Sequence, residues 1–115
     1  MKNIDIAVIV LIGSKEGLGH LPLSCVEEGD NTLVPDLGYP VYGQATLLAG
    51  GEPRTFSLDA AGGFRPDLDE LAGQLDDDTA LVTIMSANNE TGTIFPVEKI
   101  AEMVTSRGIV FHTDA

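Results

Sequence analysis

Tryptophan is absent, cysteine occurs once, and six lysine and arginine side chains stand against eighteen aspartates and glutamates in 115 residues. Each shortage excludes something. A net charge of -12 repels phosphate backbones and anionic lipid, so nucleic-acid and membrane-surface roles are not expected. One cysteine, Cys25, makes neither an internal disulfide nor a cysteine-based metal cluster, which leaves a reducing, cytoplasmic setting as the expectation. The apolar opening run Ile4 to Ile12 is interrupted by Asp5, has no small-residue cleavage site after it, and falls short of the roughly 20 residues that a membrane helix needs.

What is present supports a folded domain. Hydrophobic residues make up 43% of the chain and charged residues 21%, enough apolar material for a core in a single domain covering 1–115. Ile4 to Ile12 (IDIAVIVLI) is rich in β-branched residues and reads as a first strand buried on both faces. Ser14 is placed to start a helix running to about Glu28, with Pro22 inside it and Gly29 after it. Strands follow at Thr32 to Pro35 and Thr55 to Leu58, with a helix from Pro40 to Ala49 between them. Asp67 caps a short acidic helix that Asp76-Asp77-Asp78 closes, then come a strand at Ala80 to Met85, a helix at Pro96 to Ser106 and a strand at Ile109 to Thr113. Strictly alternating strands and helices give an α/β three-layer sandwich with a mostly parallel sheet.

In such a sheet, ligands bind beyond the carboxyl ends of the strands. After the first strand, Gly13, Ser14 and Lys15 bring helix-start N–H groups, a hydroxyl and an ammonium together. Their spacing matches neither the P-loop nor the dinucleotide fingerprint, so they suit one phosphate or carboxylate; a plain capped helix start reads from the same residues. After the second strand, Tyr39 and Tyr42 offer rings for stacking or for ordinary packing. After ALVTIM, the amides Asn88 and Asn89 fit either an Asx-type turn or a ligand contact. Asp114 leaves a carboxylate at the end of the last strand, suited to a protonated ring nitrogen. A phosphate cradle, a ring, an amide and a carboxylate together complement a phosphorylated pyridine.

The segments GSKEGL, GDNTLVPDLGYPVY, LLAGGEP and FRPDLDEL resemble the class I/II aminotransferases of the LL-diaminopimelate aminotransferase type over residues 13–75. DDTALVTIMSANNETGTIFPVEKIAEMVTSRGIVFHTDA resembles the class V cysteine desulfurases over residues 76–115. Both groups are pyridoxal-phosphate transferases of fold type I, so the resemblance implies part of the large domain of that fold, and the change of family near Leu75 implies a chimera, a design or a rearranged gene. It implies the phosphate loop at Gly13, Ser14 and Lys15, the stacking aromatic at Tyr39, the asparagine on the ring 3-oxygen at Asn89, and the aspartate on the ring nitrogen at Asp114. His112, two residues earlier, is given no chemical role and is expected to be a strand histidine with a satisfied hydrogen bond.

The same resemblance places the Schiff-base lysine downstream of the aspartate. Lys2, Lys15 and Lys99 do not stand there, and Cys25 does not match the desulfurase nucleophile, being expected to be a small core residue instead. No catalytic residue and no metal ligand is therefore assigned, and pyridoxal 5'-phosphate is expected to bind non-covalently at most. The expected function is a partial cofactor-binding domain, catalytically incompetent by itself. The alternative is a designed or rearranged structural α/β domain with no activity. Fold-type relatives are dimeric, so self-association through exposed apolar surface is expected.

Overall fold

Local pattern marks most of the elements, and long-range pairing decides where the strands begin. The computed structural model describes residues 9–36, 40–58, 60–87 and 92–114. In order, they form α1 (Ser14–Cys25), β1 (Asn31–Pro35), α2 (Val41–Leu48), β2 (Glu52–Phe56), a 3-10 turn (Ala60–Gly62), α3 (Leu68–Gln74), β3 (Thr79–Met85), α4 (Val97–Thr105) and β4 (Val110–Asp114). The strands make one four-stranded parallel sheet in the order β2-β1-β3-β4.

Side chains alternate across a strand, so successive residues serve opposite faces. Leu33, Val82 and Ile84 point to one face, where they join Phe56, Leu71, Ile100 and Val104 in the main core beneath α3 and α4. Val34 points to the other face and packs with Leu18 of α1 and Tyr42 of α2. Helices therefore cover both faces, and the three-layer α/β expectation holds. Every residue of β1 is buried, as suits a strand paired on both sides.

Local chemistry sets several boundaries as read from the sequence. The Asp67 carboxylate accepts from the N–H groups of Asp69 and Glu70 at 2.9 and 3.2 Å, capping α3. α2 lies between Pro40 and Ala49, and the chain then turns through Gly50 at φ 89. Gly51 follows because a Cβ there would meet Val26 Cγ1 at 2.4 Å.

The first strand, the end of α1, the start of β2 and the place of Cys25 differ from the sequence reading. The first strand expected at Ile4 to Ile12 is not a strand over 9–12: Ile9, Val10 and Ile12 are 77%, 92% and 91% exposed, and residues 4–8 lie outside the described residues. A strand needs a neighbour, and residues 9–12 pair with neither β2 nor β4 at the sheet edges. α1 stops at Cys25 rather than Glu28, because Val26 turns extended and is buried against the core. β2 starts at Glu52, three residues before the expected strand, since pairing with Asn31 to Pro35 overrides the weak strand propensity of Glu52-Pro53-Arg54. Cys25 is half-buried at the end of α1 rather than in the core; its Sγ lies 3.5 Å from the Leu21 carbonyl oxygen, and burial pushes its thiol up.

A polar cluster closes the amino ends of β1, β2 and β3. The Asp76 carboxylate accepts from Asn31 Nδ2 at 2.9 Å, Arg54 Nη1 at 2.7 Å, the Asp78 N–H at 2.9 Å and Thr79 Oγ1 at 3.2 Å. Its pKa lies well below the usual carboxylate range, chiefly through the Asn31 bond and then the Arg54 bond.

Candidate functional site

Because all four strands run the same way, their carboxyl ends share one rim. The short link from α1 to the start of β1 makes that helix run opposite to the strands, so its beginning lies at the same rim. The rim thus gathers Gly13, Ser14 and Lys15 at the start of α1, Asp36 after β1, Ser86 and Ala87 after β3, and Asp114 at the end of β4. The four strands open onto it like the fingers of one hand.

At the start of α1, Gly13 takes φ 77, a left-handed conformation that glycine adopts without strain, and its helix has no side-chain cap. Lys15 is exposed on the first turn. Glu16 in the same turn accepts from the Ile12 N–H at 2.7 Å, so a carboxylate shares this end with any incoming anion. An uncapped helix start with its positive dipole end can still hold a small anion. At the other side of the rim, Asp114 is half-buried, and its backbone carbonyl accepts from the Ser86 N–H at 2.9 Å. That bond fixes the end of β4 against β3.

Tyr39 and Asn89 lie outside the described residues, as does the side chain of Ser14. Of the expected site, the structure brings Gly13, the backbone of Ser14, Lys15 and Asp114 to one edge. This half of the site fits a phosphorylated cation-bearing ring in chemistry: hydrogen-bond donors at one end, a carboxylate at the other.

Sequence reasoning passed over the row beneath Asp114. Thr83 Oγ1 lies 2.9 Å from His112 Nδ1, across a pair in direct register between β3 and β4. The expected satisfied hydrogen bond of His112 is present, although the ring is half-buried. Burial lowers its pKa, and the Asp114 charge works in the opposite sense. Tyr42 is buried beside it; desolvation pushes its phenol up to about 12, Asp114 adds to this, and the neighbouring Thr83 hydroxyl offsets part of it. Thr83 does not reach Tyr42 in hydrogen-bond geometry, and Tyr42 Oη has no partner among the described residues. The signal available in the sequence was parity, since Thr83 and His112 fall on the same face once β3 and β4 are placed side by side.

A profile of the family "Aminotransferase class I and II" matches residues 2–115. The LL-diaminopimelate aminotransferase of Moorella thermoacetica is 46% identical over 97 residues, covering 84% of this chain and 25% of that protein. A cysteine desulfurase of Nostoc sp. is 63% identical over 49 residues, 43% of this chain and 12% of that protein. Among solved structures, an aromatic aminotransferase from Pyrococcus horikoshii superposes with TM-score 0.82 at 27% identity, covering 90% of this chain and 29% of that one. The aspartate aminotransferase of Thermus thermophilus gives TM-score 0.83 at 23% identity over 90% and 28% of the two chains, a likeness of fold. The chain spans about a quarter of the length of the LL-diaminopimelate aminotransferases it matches. No helix among the described residues is long and apolar enough to cross a membrane. By a match that runs nearly end to end, the chain belongs to the class I and II aminotransferase family.

Proposed function

We propose that these residues form the cofactor-seating part of a pyridoxal-phosphate-dependent transferase. In this reading Gly13, Ser14 and Lys15 hold the phosphate, Tyr39 stacks on the ring, Asn89 bonds the ring 3-oxygen, and Asp114 pairs with the ring nitrogen. The supporting observation is the sharing of one rim by the uncapped start of α1 and the half-buried Asp114 carboxylate. When bound, the protonated pyridine ring supplies an electron sink for bonds at the substrate carbon. The chain's own part is to orient the ring and to keep a negative charge opposite its nitrogen.

None of Lys2, Lys15 and Lys99 matches the place of the covalent lysine, so within these 115 residues binding is non-covalent at most and turnover is not expected from them alone. The aminotransferase profile spans residues 2–115 while a cysteine desulfurase is 63% identical over 49 residues, and since these relatives point to different reactions no substrate is assigned. The reading keeps two sequence halves, 1–75 and 76–115, within one domain, and the desulfurase identity supports a desulfurase-like part of the chain. Exposed Ile9, Val10, Ile12, Leu47 and Leu48 support self-association, and the lone cysteine supports a cytoplasmic setting.

The test is a titration with pyridoxal phosphate followed by absorbance, then borohydride reduction and mass measurement. Saturable binding without a reduced adduct is expected, weakened by Asp114→Ala and by Ser14→Ala. No saturation at millimolar cofactor overturns the reading. Glu16, already at the start of α1, favours the second reading, an α/β domain without activity; that reading requires an unfolding midpoint that no phosphate ligand shifts.

A further inference from the structure

Beneath the Asp114 end of β4, α1 and α2 close over the sheet and leave a cavity in which the centre of a water-sized sphere has about 10 Å³. That is about the space one water needs. Leu18, Leu21 and Leu81 form its apolar wall, and Tyr42, Thr83 and His112 its polar side. Tyr42 is 3% exposed and its Oη lacks a partner among the described residues, an arrangement that buried hydroxyls rarely keep. Thr83 Oγ1 lies 2.9 Å from His112 Nδ1, a contact whose donor is set by the tautomer of the ring.

We propose that this cavity binds one water, which accepts from the Tyr42 hydroxyl and donates to Thr83 Oγ1, so that Thr83 donates to His112 Nδ1, and that this directed row makes His112 a positioning residue for Asp114. Each hydroxyl has one proton to give, so the row runs in one sense only. It begins at Tyr42, which has no other acceptor, and it ends at an imidazole nitrogen that must accept. A neutral ring accepting at Nδ1 carries its proton on Nε2. Burial lowers the ring's pKa from its ordinary value and so favours the neutral form, against the pull of the Asp114 charge. The groups packed around it are Tyr42 of α2, Leu18 and Leu21 of α1, Thr83 of β3, and Asp114 on its own strand. Asp114 is the charged group among them, two residues along the same face at a spacing of about 7 Å. A fixed, uncharged imidazole in that place orients the carboxylate without neutralising it.

The row joins Tyr42 of α2 to Thr83 of β3 and His112 of β4. Its bearing on a cofactor rests on the function proposed above; the water and the tautomer do not.

The experiment is nitrogen NMR of the histidine rings in the unmodified chain, with His20→Gln to leave His112 as the remaining histidine. The Nε2–H tautomer is expected, with titration below the ordinary value of 6.5, and a long-lived water with cross-relaxation to Tyr42 or His112. Thr83→Val and Tyr42→Phe should each shift the tautomer toward Nδ1–H, and Thr83→Ser should restore it. In the same samples, Thr83→Val should weaken pyridoxal phosphate binding about tenfold, the scale of losses when the group orienting a binding residue is removed. An Nδ1–H tautomer in the parent, or a tautomer unchanged by Thr83→Val, overturns the row; a tautomer that follows the row with cofactor affinity unchanged overturns the positioning role. A parent chain that binds no cofactor removes the proposed function and leaves the tautomer to decide the row.

Discussion

The two faces of the sheet are built to different standards. Under α3 and α4, Phe56, Leu71, Ile100 and Val104 are at most 1% exposed, and the polar groups nearby are matched, from the Asp67 cap to the Asp76 cluster. Under α1 and α2, the cluster is Leu18, Val34 and Tyr42, with a cavity beside them, and the hydroxyls of Thr32 and Tyr42 are buried without partners among the described residues. Within one sheet, then, one face is a close-packed foundation and the other is loosely satisfied. Departures from full packing and full hydrogen bonding tend to gather where a protein binds something, and the loose face is the one that carries His112 and Asp114.

Cutting a methylene cluster from each face is the hardest test of that contrast. Ile100→Ala should cost about 2–5 kcal/mol in urea unfolding, because the filled core cannot collapse around the gap. Leu18→Ala should cost under about 2 kcal/mol, since this side chain already borders empty space and loses fewer contacts. Equal losses would abolish the distinction.

Next in size is the acid response of the well-satisfied face. Asp76 titrates lower in the folded chain than its ordinary 3.8, so the folded state binds fewer protons than the unfolded one, and the stabilisation is whole above that value. It drains away as the pH falls through the acid range below 3.8. Unfolding midpoints measured from neutral pH downward should show this loss, and Asp76→Asn should flatten the curve. A variant with the same acid slope as the parent would mean that the cluster contributes no pH-dependent stability. The smallest change concerns the loose face: Thr32→Val should raise stability by about 0.5–1 kcal/mol by removing a buried hydroxyl that bonds nothing. A loss of that size would reveal a partner for it.

Features governed by neighbours in the chain were legible. The Asp67 cap, the limits of α2 at Pro40 and Ala49, and the apolar stripe of Val97, Ile100, Ala101 and Val104 follow from local pattern, and alternation gave the α/β class. Pairing was not legible. Ile9 to Ile12 has every local mark of a strand, but the described sheet has no place for it, while polar Glu52-Pro53-Arg54 becomes β2 because β1 lies alongside. The site was readable as far as residue types at strand ends allow, which placed Asp114 and the start of α1 at one rim. The row through Tyr42, Thr83 and His112 was hidden, since it joins residues separated in the sequence by β2, α3 and α4.

The Asp76 cluster carries a consequence for how such a gene tolerates recombination. Asn31 lies 45 positions and Arg54 22 positions before Asp76, and with Thr79 they meet in one knot of hydrogen bonds. A chain recombined anywhere between Arg54 and Asp76 keeps that knot only when both parents supply matching sides of it, so compatibility between donors can be screened at four codons before any swap is made.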